Sequence, residues 1–254
     1  MKKMILCILF VFLLSGAAEW AEAAADKRLE SVMSRWTRKE FYAEKDTQGG
    51  LEIEITLYSA EYVEALIEAE AEKNLWTADE KEQYKYQLLK TLNLEEYVPF
   101  HFSFNNNGPS MHMAPFDKMV NLWLGKNKYA PADYDKRFNF KLQGRRDGMV
   151  WFPRYDEKTG KSLLDGVRTI KLDVSGAISP FLSNKLSVSF LWDIDKDNPG
   201  KLYAGRAASR LELDRLIKRI EKLTAEKKDL EDKLNEVNNE LLTVNKRVEE
   251  LQKQ

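Results

Sequence analysis

Five stretches of the chain alternate apolar and polar residues with a period of two. This is the pattern of strands with one dry face and one wet face, as in antiparallel sheets. They carry Leu51, Ile53, Ile55 and Leu57; Val98, Phe100, Phe102 and Phe104; Phe138, Phe140 and Leu142; Ile170, Leu172 and Val174; and Leu186, Val188, Phe190, Trp192 and Ile194. Gly144-Arg145-Arg146-Asp147-Gly148 reads as the turn of a hairpin joining the Phe138 strand to Met149–Tyr155. Asp46 to Gly50 reads as a second turn, from Arg38–Lys45 into the Leu51 strand.

Two helices interrupt the strands. Ser59 stands where an N-cap is needed ahead of Ala60–Asn74, with Tyr62, Leu66 and Ile67 on one face. Thr77-Ala78-Asp79-Glu80 is a capping box and opens a helix running to about Leu92. A further short helix is expected over residues 26–36. The expected fold is α+β: an antiparallel β-sandwich-like head over residues 26–205 with a helical hairpin inserted in it.

The period changes after residue 205. Taking Leu213 as heptad position a, the a positions are Leu213, Ile220, Lys227, Leu234, Leu241 and Val248. The d positions are Leu216, Leu223, Leu230, Val237, Val244 and Leu251. Eleven of the twelve are apolar over six heptads, beyond what a single amphipathic helix would keep in phase. Residues 206–254 are therefore expected to form a coiled-coil helix that self-associates, reaching roughly 60 Å from Leu213. Lys227 is the one polar a residue and fixes register at a cost in stability. Leu at a with Val at d leans away from a parallel dimer, so trimer and dimer stay close with the trimer ahead. Pairs from g to e′ do not decide the matter, since Glu226 would meet Glu231.

Composition sharpens this boundary. All seven Pro and all 12 Gly lie at or before Gly205, and no aromatic follows Tyr203. Lys and Arg number 40 against 41 Asp and Glu, so the net charge of −1 gives no basic footprint for nucleic acid. A 43% hydrophobic content is enough for a packed core.

The first residues read as an export signal, cleaved within residues 1–25. Lys2 and Lys3 precede an apolar run from Met4 to Leu14, too short to span a bilayer, and Ala21-Glu22-Ala23 and Ala23-Ala24-Ala25 both fit a cleavage site. Leu14-Ser15-Gly16-Ala17 has the form of a lipobox with Ala where the lipidated Cys would stand, so no lipid anchor is expected. The single Cys7 leaves with the signal, which removes disulfides, thiolate nucleophiles and Cys ligands from the expected mature chain. The expected location is periplasmic or extracellular, with no transmembrane segment after cleavage.

Chemistry-bearing motifs are sparse. There is no G-x-S-x-G, and two His residues, His101 and His112, cannot build H-E-x-x-H. Gly160-Lys161-Ser162 matches the end of a P-loop, but Tyr155 occupies the first Gly position, so it reads as a turn. Asp193, Asp195 and Asp197 occupy positions 1, 3 and 5 of a loop, a spacing that suits calcium. Asn198 and Ala204 then stand where an EF-hand needs Gly and a bidentate Glu, and a turn closing the last strand accounts for the same residues. Met111-His112-Met113 offers thioether and imidazole ligands for Cu(I), against the simpler reading of Met side chains packed on the sheet. The Asn105–Pro109 stretch reads as a loop, and with Phe104, Phe116 and Trp123 nearby it suits stacking on a carbohydrate ring, with Phe104, Asn106, His112 and Trp123 as the candidate ligand-binding residues. Aromatics at this density more often belong to a core.

The function expected from these residues is an exported, non-enzymatic protein. Its coil would multimerise a β-rich head that binds a ligand, a carbohydrate or another envelope component. The alternatives are a structural envelope spacer whose coil contacts a partner, and a periplasmic enzyme of unfamiliar type.

Overall fold

A computed structural model of the protein describes residues 26–43, 48–195, 197, 202 and 204–252. The export segment lies outside these residues, as do Asp46 and Thr47 of the Asp46–Gly50 turn and Lys196, Asn198, Pro199 and Gly200 of the acidic loop. The fold is α+β, with two antiparallel sheets and a long C-terminal helix. Contacts divide the chain into one unit ending at Ser209 and another beginning at Arg210, four residues beyond the change in composition at Gly205.

The first unit opens with α1 (residues 26–36), β1 (Thr37–Tyr42) and β2 (Leu51–Leu57). The hairpin α2 (Ala60–Lys73) and α3 (Ala78–Thr91) follows. Then come β3 (Tyr97–Met111), the single turn α4 (Phe116–Met119), β4 (Val120–Leu124), β5 (Asn127–Tyr129) and β6 (Asp133–Tyr134). β7 (Leu142–Pro153), β8 (Thr169–Ser175) and β9 (Ser187–Asp193) complete the sheets, before α5 (Arg206–Gln252). One sheet has the order β1-β2-β3-β7-β6 and the other β5-β4-β8-β9.

The inward residues of both sheets belong to one hydrophobic cluster. β3 supplies its spine: Phe100, Phe102 and Phe104 are fully buried, and Phe102 meets Phe116 edge-on at 5.9 Å between ring centroids. Phe116 stacks on Phe138 at 4.7 Å. Such pairs add to the burial of apolar area. Trp192 on β9 reaches Phe100 on β3 at 5.3 Å, and its Nε1 donates to the Trp36 carbonyl at 2.7 Å. Beside it Arg38 of β1 donates from Nε to the Leu191 carbonyl of β9 at 2.7 Å, so the outer strands of the two sheets meet there.

Both caps read from the sequence form. The Ser59 hydroxyl accepts from Tyr62 N at 3.0 Å, and Thr77 and Glu80 make the reciprocal bonds of a capping box. Trp151 Nε1 on β7 donates to the Leu92 carbonyl at 3.0 Å, tying the end of α3 to the first sheet.

Three expectations are corrected. The Phe138 segment is not a strand: Lys136–Asn139 is a 3-10 turn capped by Asp135, which buries Phe138 and leaves Phe140 65% exposed. The Gly144–Gly148 segment is not a turn, and Asn105–Pro109 is not a loop. They pair with each other, Asn105 with Arg145 and Asn106 with Gly144, inside the long strands β3 and β7. The register breaks between Asn106 and Met111. There the buried Asn106 amide donates to the carbonyls of Pro109 (2.8 Å) and Leu142 (3.2 Å), so a side chain replaces the missing ladder. Gly108 sits in this irregular stretch because a Cβ would run into the Phe181 ring.

The aromatic spine sets a testable cost. Phe102→Ala should destabilise the first unit by about 3–5 kcal/mol in chemical denaturation. The same truncation at the exposed Phe140 should stay within about 0.5 kcal/mol.

Candidate functional site

Two features stand out from the packed body. The first is the seam of α5. Ion pairs three and four residues apart, Glu212–Arg215 at 2.7 Å and Asp229–Lys233 at 2.6 Å, support the helix along its length. The apolar a and d side chains nevertheless remain 44–64% exposed from Leu213 to Leu251. Lys227, at the polar a position, holds Glu231 one turn on at 3.4 Å. No helix among the described residues is long and apolar enough to cross a membrane.

The second is a cavity of about 150 Å³ in the first unit, where strand ends converge on the start of α2. Leu57 ends β2, Val98 lies at the start of β3, Arg154 follows β7, Ile170 lies at the start of β8 and Ile194 follows β9. Leu94, Leu164, Val167 and Leu202 add further aliphatic wall. Ser59, Ala60 and Asp197 close the side nearest α2.

Asp197 is the polar group that organises this end. Its two carboxylate oxygens accept from the amides of Ala60 (3.0 Å) and Glu61 (2.9 Å), which α2 cannot satisfy internally. Burial raises its pKa above the ordinary 3.8 and outweighs the two amides, which pull it down; Glu61 raises it further and Arg154 lowers it.

The predicted metal loop is therefore divided among different tasks. Asp197 is turned to α2, Asp193 Oδ1 accepts from Asp195 N at 3.0 Å, and Asp195 stands 3.9 Å from Arg168. Among the described residues, no three His, Cys, Asp or Glu side chains gather as a metal-ligating group. The predicted copper ligands part in the same way: Met111 and Met113 are buried in the core and His112 is exposed.

The predicted ligand residues do not form one surface. Phe104 and Asn106 are fully buried, so they offer no face to a sugar. Trp123 lies outside the core cluster, half-buried, with Lys171 Nζ 4.7 Å from its ring centroid. Its indole N–H is buried and makes no hydrogen bond among the described residues. The sequence reading missed Asp197 as a cap and missed the cavity. The capped amides lie 136 and 137 residues from Asp197, and no local pattern connects them.

The raised pKa fixes a sign. Folding stability from Asp197 is full below its ordinary value and is lost as pH rises through the raised one. Asp197→Asn removes that loss. The melting temperature of the variant relative to the parent should therefore climb as pH is raised from about 3 to about 7. A difference that is flat or falls over this range would contradict the assignment.

No protein-family profile, curated protein or solved structure matches the chain.

Proposed function

We propose that the protein is exported and non-enzymatic, and that α5 winds around copies of itself to multimerise a sandwich-like, ligand-binding head. The observation that carries this reading is the exposed heptad seam of α5. Eleven aliphatic side chains in one stripe stand open along a helix of 47 residues, roughly 70 Å long. Helices draw most of their stability from burying an apolar face, and this one has such a face with nothing of its own unit to cover it. A period of 3.5 held over six heptads is matched by another helix of the same period. A second copy of this chain supplies that helix in register. Joining several heads would then raise their avidity without new contacts in any one of them. The short apolar run after Lys2 and Lys3, with its small-residue cleavage sites, supports export.

Light scattering of the chain lacking residues 1–25 should give a whole multiple of the protomer mass. Leu234→Lys with Leu241→Lys should return it to a single protomer and lower its helical circular dichroism. Protomer mass for the unaltered chain at micromolar concentration would refute self-association.

Lys227→Leu tests the seam from the other side. Replacing an ammonium at a buried a position with an aliphatic group should strengthen the assembly by about 1–3 kcal/mol per chain, read from the denaturation midpoint. A weaker assembly would mean that Lys227 faces outward.

A further inference from the structure

We propose that the cavity between the strand ends and the start of α2 is a binding pocket for a small apolar ligand, a hydrocarbon ring or short alkyl group of about benzene's size. The inference rests on the reading of the head as the ligand-binding part, and gives that ligand a place and a chemistry.

Size comes first. Protein interiors hold few voids larger than a water molecule, and the core between the two sheets follows that rule with fully buried Phe, Leu, Ile and Trp side chains. A space of about 150 Å³ beside such a core is of the size that accepts benzene. Leu57, Val98, Val167, Ile170, Ile194 and Leu202 present aliphatic carbon to it from separate segments of the chain. An empty space of this kind leaves those groups without dispersion partners, and an apolar ligand supplies them.

Three of the polar groups of the wall, all but the Tyr58 hydroxyl, constrain the chemistry by being already engaged. The Ser59 hydroxyl accepts from Tyr62 N at 3.0 Å. Both oxygens of Asp197 accept from the first amides of α2. Arg154 donates from Nε to the Tyr97 carbonyl at 3.4 Å. A polar or charged ligand would have to displace these bonds, and opening the α2 cap would leave two helix amides without partners. Water gains little here for the same reason, since it needs several free polar neighbours. A hydrocarbon group displaces none of these bonds.

Benzene is the direct probe. The exported form of the full chain, labelled at its Ile methyl groups, is titrated with benzene and followed by NMR. The expected result is saturable shifts at Ile170 and Ile194, with Ile217 and Ile220 of α5 unmoved. Val167→Phe, which fills the space, should weaken the affinity at least tenfold. Ile194→Ala, which enlarges it, should keep saturable binding read at Ile170. Shifts that grow without saturation, saturation centred on residues away from the cavity, or an unchanged affinity in Val167→Phe would each overturn the proposal. Particle mass measured in the same samples keeps the two questions apart. Loss of benzene binding with an intact multimer rejects the pocket alone, and a protomer mass with intact benzene binding rejects the assembly alone.

Discussion

The first unit depends on how Trp192 is held. An indole fully removed from water needs a partner for its N–H, and it finds the carbonyl of Trp36, the last residue of α1. One side chain of β9 thereby fixes the point where the chain leaves its first helix and enters β1. The same ring lies against Phe100 of the other sheet, with the Arg38 guanidinium 5.6 Å from its centre. Two sheets, a helix end and an outer strand are therefore set by one residue. The spine of Phe100, Phe102 and Phe104 has a fixed face to pack on because that residue cannot shift without losing its hydrogen bond.

What was legible in the sequence was whatever repeats locally. Leu51–Leu57, Ile170–Val174 and Val188–Trp192 alternate cleanly and are strands, and the caps at Ser59 and Thr77 need only neighbours three residues away. The failures share a cause. Phe138 and Phe140 alternate, but two rings and two polar residues are equally compatible with a tight turn, and Asp135 supplies the cap that selects it. The polar runs Asn105–Asn107 and Gly144–Asp147 resemble loops when taken singly. Gly144–Asp147 nevertheless completes a ladder with Ser103–Asn106, and composition carries no information about which segment lies opposite.

The candidate site was less legible still. Asp197 was visible as one of three spaced carboxylates, which suggested an ion. Its actual neighbours are the first amides of a helix begun far earlier in the chain, so the spacing that drew attention was incidental to its contacts. The cavity is lined from the ends of five strands, the start of α2 and three connecting segments, each contributing a few ordinary residues, most of them aliphatic. The heptad seam is the opposite case. Its signal is wholly local, from Leu213 to Leu251, and the eleven aliphatic side chains that it marks are exposed on α5, as are Ile217 and Leu242 outside the pattern.

The bond from Arg38 to the Leu191 carbonyl has a meaning for crowded heads. Any multimer of this protein keeps several heads at high local concentration, where bare sheet edges invite strand-to-strand pairing between molecules. Here β5 and β6, which end the two sheets on one side, have three and two residues, too short to template a neighbour. The longer outer strands, β1 and β9, face each other instead, and Arg38 occupies a carbonyl that another chain would otherwise recruit. Replacing that guanidinium would then be felt less as lost stability than as a tendency of neighbouring heads to aggregate.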